Sequence, residues 1–255
     1  MTRRLIFTVD LDRDVNIQLD GQSAAGSLDR GQGTAPRFSS SERGLQVLLE
    51  MLDDIGLKCT FFVEGRTCET FDCSGIRGHC IGFHGYDHED ITAETDAKAV
   101  MRRGFEAVRD NVGMPVCFRA PYMRIDDRVY GELQQLGIRH DSSVYDSPGK
   151  GPYEVSGIIE HPVAKGKDRA GKTIAAYLWP MHEGLRKPSD YVDLAGTVNE
   201  GELVLSTHSW HMAERREGGL MSEEEVRRNR DNVADVLTSI IDSGFEGTVI
   251  TESSV

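Results

Sequence analysis

The architecture of this chain turns on LIFTVDLDRD, residues 5–14. Leu5 to Val9 run apolar or β-prone without a break, and the run stops at acids. A short run so bounded reads as a buried strand. Arg3 and Arg4 just ahead give the start some likeness to a secretion signal. The apolar run is nevertheless too short for the ~7–15-residue apolar region such a signal needs. Asp10, Asp12 and Asp14 alternate, and alternate side chains of an extended strand share a face. Carboxylates so placed repel one another, and a cation would relieve the repulsion. The other reading, an exposed acidic edge, is weakened by LIFTV, which carries the strand into a core.

Working outward, short apolar runs alternate with helical patterns. Strands are expected at KCTFFVEG (58–65), CIGFHG (80–85), VCFRAPY (116–122), ELVLSTHSW (202–210) and, last, GTVITES (247–253). Helices are expected at 42–56, 93–113 and 126–138. A further helix should open on a capping box of Ser222 and Glu225 and run to about Ser243. GIIEHPVA (157–164), TIAAYLWPM (173–181) and SDYVDLAGTVNEG (189–201) complete the ordered pattern. Strands alternating with helices argue a parallel sheet or barrel. No internal repeat or linker divides the chain, so one domain over 1–255 is expected. Residues 14–41 are rich in Gly, Ser, Gln and Arg. This long loop leaves the end of the first strand, on what would be the active-site face of a barrel. It reads equally as a substrate-side lid or as a surface excursion.

Composition narrows the function. Against 29 basic residues stand 42 acidic ones, a net charge of −13. No basic patch suited to phosphate is visible, which argues against nucleic acid as the main partner. No apolar run approaches the ~20 residues of a membrane span. An intracellular, cytoplasmic protein is expected, with its oligomeric state, homo-oligomer or not, left open. The five cysteines, Cys59, Cys68, Cys73, Cys80 and Cys117, are odd in number and do not suggest a disulfide framework. Cys68, Cys73, Cys80 and His79 cluster without a C-x-x-C knuckle, so reduced, partly buried thiols are expected rather than a structural zinc.

Five short segments carry candidate chemistry. In GFHGYDHED (82–90), His84 and His88 stand four apart, a spacing that can bring two imidazoles to one metal; a solvated polar loop is the plainer alternative. TVDLDRD supplies the carboxylates already described. In FRAPY (118–122), Arg119 at a strand end can hold a carboxylate bidentately, or make an ordinary salt bridge. In HDSSVYDS (140–147), Asp141 could polarise a histidine or form a turn. In LVLSTHSWHM (203–212), His208 ends an apolar strand, where a histidine can serve as general acid or lie on the surface.

In this order, the segments resemble the polysaccharide deacetylase family (carbohydrate esterase family 4, the NodB homology domain). The resemblance runs from about Leu5 to Ser209 and rests on KCTFFVEG, GHCIGFHGYDHED, FRAPY and HDSS. It looks closest to the branch of intracellular peptidoglycan-deacetylase-like proteins and cyclic-imide hydrolases. The resemblance implies an α/β fold, a distorted (β/α) barrel, and a divalent metal, usually zinc. It maps the metal triad to Asp12, His84 and His88, the base to Asp10 and the base-orienting arginine to Arg119. It also implies an oxyanion donor in the backbone N–H of Tyr122 and a general acid in His208, tuned by Asp141. The substrate implied is a glycan or small-molecule amide. Leu11 separates two acids that are often adjacent in the family. The split of base and ligand roles is therefore open, with Asp14 as an outside candidate. Cys80 stands where an acid is common, and the segment 140–147 has Tyr145 and no tryptophan.

The leading expectation is hydrolysis of a non-peptide C–N bond, most simply removal of acetyl from an N-acetylated sugar. Hydrolysis of a small amide, cyclic imide or ureide is the rival within the enzyme class. A catalytically silent metal- or carbohydrate-binding protein is the rival outside it.

Overall fold

The computed structural model describes residues 2–15, 26–27 and 36–252 of the 255. Strands are β1 (Arg3–Leu11), β2 (Thr60–Val63), β3 (Cys80–Phe83), β4 (Cys117–Phe118), β5 (His140–Asp141), β6 (Tyr145–Asp146), β7 (Tyr153–Val155), β8 (Ile158–Glu160), β9 (Val163–Lys167), β10 (Thr173–Ala175), β11 (Gly201–His208), β12 (Glu214–Arg215), β13 (Gly219–Leu220) and β14 (Phe245–Thr248). Helices are α1 (Ser39–Ile55), α2 (Gly65–Thr70), α3 (Ala97–Asn111), α4 (Asp127–Gln135), α5 (Trp179–His182), α6 (Pro188–Ala195) and α7 (Glu223–Asp242).

β1 is the axis of the sheet. Every residue from Leu5 to Leu11 is buried, as expected of a parallel strand covered on both faces. It pairs in parallel with β11 over Arg3–Asp10, with β14 over Arg3–Ile6 and with β2 over Thr8–Leu11. From β2 the parallel pairing continues through β3, β4 and β5 to β8. The stretch 140–146 then bridges the two halves. Its β5 end pairs with β4 and its β6 end with β9. Val163 of β9 faces Tyr145 on one side and Val204 of β11 on the other, so the pairing path returns to β1. The sheet is a distorted barrel with helices around it, as the alternating pattern foretold. Antiparallel β7 and β10 flank it.

Registers align the carboxyl ends of the parallel strands. Asp10 lies level with His208 and Phe62, Val63 with Phe83, and Phe83 with Phe118. One layer further along are Asp12, Glu64, His84 and Arg119. A parallel barrel thereby converts residues far apart in sequence into one cluster.

Boundaries differ from expectation where tertiary contacts intervene. α1 begins at Ser39 rather than Glu42, because the Asp14 carboxylate accepts the N–H groups of Ser40 (2.9 Å) and Ser41 (2.7 Å). This satisfies donors that the first turn leaves bare. It also removes Asp14 from the metal candidates. VCFRAPY keeps only Cys117–Phe118 as strand, since Pro121 and the left-handed Tyr122 (φ 59°) turn the chain away. The final strand stops at Thr248, and Ile250–Glu252 forms a 3₁₀ turn. The loop expected over 14–41 falls mainly on residues 16–25 and 28–35, which lie outside the described residues. Its described parts are tied down: Ser27 Oγ and Arg37 (2.9 Å) both bind Glu214. No described helix is long and apolar enough to cross a membrane.

Candidate active site and metal centre

Asp12, His84 and His88 each offer a ligand atom, and these atoms all lie within 4.8 Å of one another. The Asp12 carboxylate is fully buried, yet neither oxygen has a hydrogen-bond partner. His88 Nε2 lies 3.4 Å from its Oδ2. Burial, and after it the charges of Asp10 and Glu64, push its pKa well above the usual carboxylate range. A bare buried carboxylate costs several kcal/mol of lost solvation, and a cation removes that cost. Two imidazoles and one carboxylate suit zinc and leave coordination positions open for water and substrate. The donor set therefore fits the metal that the sequence implies.

Each ligand is held by its own device. His84 follows β3, and its Nδ1 lies 2.8 Å from the carbonyl oxygen of Arg119. A carbonyl only accepts, so Nδ1 carries the proton and Nε2 keeps its lone pair. His88 sits in the left-handed region (φ 51°), three residues after Gly85 (φ 69°). The half-buried Glu89 carboxylate fixes this turn by accepting the N–H groups of Tyr86 (3.1 Å) and Asp87 (2.7 Å). Gly104 of α3 packs against it so closely that a Cβ there would lie 2.5 Å from the Gly85 carbonyl. Arg13 joins the two ligand-bearing segments. It gives its backbone N–H (3.0 Å) and Nε (2.7 Å) to the buried Glu64, and Nη2 to Asp87. Asp87 and Glu89 are thus positioning groups, while Asp90 pairs with Arg124 (2.5 Å). His79 is elsewhere, its Nδ1 accepting the Cys59 N–H.

Asp10 is bonded where Asp12 is bare. Arg119 Nη1 donates to its Oδ1 at 2.8 Å, the Tyr177 hydroxyl donates to its Oδ2, and His208 Nε2 lies 3.9 Å from Oδ2. Burial raises its pKa, but Arg119, His84, His208 and Tyr177 together outweigh burial and hold it below the usual range. Arg119 gives Asp10 one bond rather than the expected two. Its Nε and Nη2 go instead to the Ser142 carbonyl and hydroxyl, both at 2.8 Å, and its plane rests 4.4 Å from the Phe62 ring centre.

His208 is buried, with Nδ1 lacking a hydrogen-bond partner. Burial pushes its pKa down to about 4, against the opposing pull of Asp10. Asp141 does not accompany it. The Asp141 carboxylate accepts from the Ser143 N–H (3.0 Å) and hydroxyl (2.7 Å), beside Glu160. Ser143 Oγ in turn accepts the N–H of Ala120 at 2.8 Å. Asp141 therefore braces the segment that leads to Tyr122. The Tyr122 ring packs edge-on against His88, with centroids 4.6 Å apart. Tyr122 and Met123 (φ 56°) are consecutive left-handed residues without glycine, a strain of about 1–3 kcal/mol each that clusters at functional sites.

Sequence reasoning missed Arg13, Glu64, Tyr177 and Ser142. Glu64 carried a signal, an acid ending the apolar run TFFV. Tyr177 carried none, since it reaches Asp10 through a fold-dependent bridge between Tyr177 and Ser206. The cysteines are free and buried, as expected. Asp12, His84 and His88 are the one metal-type cluster among the described residues.

Comparison with known proteins places these observations in context. The profile described as Polysaccharide deacetylase matches residues 27–140. Chitin deacetylase 1 of Cryptococcus neoformans var. grubii is 32% identical over 99 residues, 36% of this chain and 21% of the relative. Peptidoglycan deacetylase-like protein FGM2 of Gibberella zeae is 29% identical over 144 residues, 50% of this chain and 43% of the relative. The chain thus spans less than half the length of these relatives. A solved structure of a Mycobacterium smegmatis protein, assigned as a polysaccharide deacetylase, superimposes with a TM-score of 0.69 at 24% identity, covering 98% of this chain and 88% of the other. That likeness shows the fold.

Proposed function

We propose, from the premise that the chain belongs to the polysaccharide deacetylase family, that it is a metal-dependent hydrolase that removes acetyl groups from an N-acetylated sugar or glycan. The observation that carries this reading is the pair of unlike carboxylates. Asp12 lies bare beside two histidines, and Asp10 lies hydrogen-bonded beside them.

Asp12, His84 and His88 would hold a divalent cation, with zinc the best match to the donors. When bound, that cation lowers the pKa of water and polarises the amide carbonyl. Asp10, kept ionised by Arg119 and Tyr177, accepts the proton of the attacking water. Its Oδ2 accepts the Tyr177 hydroxyl and lies 3.9 Å from His208 Nε2. The backbone N–H of Tyr122 stabilises the negative charge that grows on the former carbonyl oxygen. Amines leave poorly unless protonated, and His208 donates that proton to the nitrogen. Burial lowers the His208 pKa to about 4, so as general acid it takes up a proton in the course of the reaction. The positions of the base, the ligands and the acid are all filled, which favours turnover over a silent binding role.

The test is release of acetate or amine from N-acetyl sugars, chitooligosaccharides, cyclic imides and ureides, with and without chelator. Acetate release that chelator abolishes is expected, with Asp10→Asn lowering kcat by about 10²–10⁴-fold. Full activity in Asp12→Ala or His84→Ala would overturn the mechanism. Ring opening of an imide or ureide without acetate release would replace the substrate class.

A further inference from the structure

Asp141 stands apart from His208, and the group packed beside that ring is a second histidine. Beyond the end of β11 the chain makes a single 3₁₀ turn, Trp210–Met212. Three other elements pin it. Ser209 donates its N–H to the Asp10 carbonyl (3.0 Å), its hydroxyl meets that of Ser41 at 2.5 Å, and Asn229 Nδ2 of α7 donates to the His211 carbonyl at 2.9 Å. Gly44 of α1 lies so close that a Cβ there would meet the Ser209 carbonyl oxygen at 1.8 Å. The His211 side chain is wholly buried. It stacks on Trp210 with ring centres 3.6 Å apart, and its centre lies 5.8 Å from that of His208.

The two nitrogens of His211 are unlike. Nε2 lies 3.2 Å from Glu183 Oε1, which also accepts the Arg216 N–H at 2.5 Å. A carboxylate only accepts, so Nε2 carries the proton and Nδ1 keeps its lone pair. That Nδ1 is buried without a hydrogen-bond partner, and so is Nδ1 of His208. Three rings pack on His208: Tyr177, Trp210 and His211. The Tyr177 hydroxyl is bonded to Asp10, and an indole nitrogen only donates. His182, stacked on the far ring, has both nitrogens bonded, to Asn229 and to Thr207, each at 2.7 Å. Among these groups, His211 alone offers an unbonded acceptor.

We propose that His211 is the positioning residue of the general acid: its Nδ1 accepts the Nδ1–H of His208 when that ring is protonated, and Glu183 holds His211 in the tautomer that can do so. This rests on the deacetylase reading. A charged imidazole carries an N–H on both nitrogens. The Nε2 proton goes to the leaving amine. The Nδ1 proton stays on His208, bonded to His211 instead of buried bare. Such hydrogen bonds are often loose at rest and tighten in the reacting complex. Burial, and after it the charges of His182, His208 and Arg216, hold His211 well below the usual imidazole range, so it stays a neutral acceptor.

The test compares leaving groups. A chitooligosaccharide must have its departing nitrogen protonated, whereas para-nitrophenyl acetate releases a stable phenolate without help from an acid. His211→Phe keeps a ring on Trp210 and lacks the acceptor. It should lower kcat for acetate release from the chitooligosaccharide by about 10²-fold, with KM and ester turnover little changed. His211→Asn, whose Oδ1 can take the place of Nδ1, should recover part of the loss, and Glu183→Ala should fall in the same direction as His211→Phe. Separately from activity, nitrogen NMR of the wild-type imidazoles should find His211 protonated on Nε2 and not on Nδ1. Equal losses on amide and ester, an unchanged amide rate in His211→Phe, or a proton on His211 Nδ1 would each overturn the inference alone. A wild-type chain that cleaves the ester and no amide would overturn the deacetylase reading, and the inference with it.

Discussion

Asp10 and Asp12 are two residues apart, on one face of one strand, yet their surroundings separate them. Asp10 receives Arg119 and Tyr177, while Asp12 receives no donor. Hydrogen bonds to the charged form lower a carboxyl pKa and burial raises it, so the same side chain is driven in opposite directions at the two positions. Tyr177→Phe tests this at the base. Removing the hydroxyl removes one cause of lowering, so the Asp10 pKa rises. The acid limb of the pH profile of kcat/KM should then move to higher pH, with the alkaline limb in place. An unmoved acid limb would show that Tyr177 only fills space. DLD alternation in the sequence announced that two carboxylates share a site. Which of them is bonded and which bare was hidden, because the donors come from residues more than a hundred positions away.

At the scale of elements, the proposed metal site would depend on a clamp between β1 and the turn that follows β3. The clamp is Arg13, bonded to buried Glu64 at the end of β2 and to Asp87 beside His88. Groups that orient metal ligands typically contribute 10–100-fold to affinity. Arg13→Ala should weaken zinc binding by about that factor, measured by competition with a chromophoric chelator, and Arg13→Lys should restore only part of it, since lysine cannot fork between two carboxylates. Equal affinity in all three proteins would reduce Arg13 to a surface-style ion pair. Helix periodicity was a good guide here: α3, α4 and α7 lie where the apolar spacing and the Ser222–Glu225 box put them. The start of α1 was not legible, because its cap, Asp14, is supplied from the end of another element.

Across the whole molecule, the bare Asp12 carboxylate would couple the proposed metal binding to stability. Without metal, its raised pKa means that the folded chain binds a proton which the unfolded chain releases, over the range between the unfolded value of 3.8 and the raised folded value. Stability of the metal-free fold therefore falls as pH rises through that window, and a bound cation replaces the proton. Chelator should lower Tm, and by more at pH 8 than at pH 5. Equal shifts at both pH values would separate the metal from Asp12. The sequence by itself determined the barrel's buried axis, the alternation of strands and helices, and the residue types for a metal and its acid–base partners, since these depend on local periodicity and on chemistry fixed by side-chain type. Tertiary structure alone decided that Asp141 braces the Tyr122 segment instead of accompanying His208, and that Tyr177 and Ser142 complete the surroundings of Asp10 and Arg119. Those outcomes depend on strand register, and register brings together side chains whose separation in sequence carries no periodic signal.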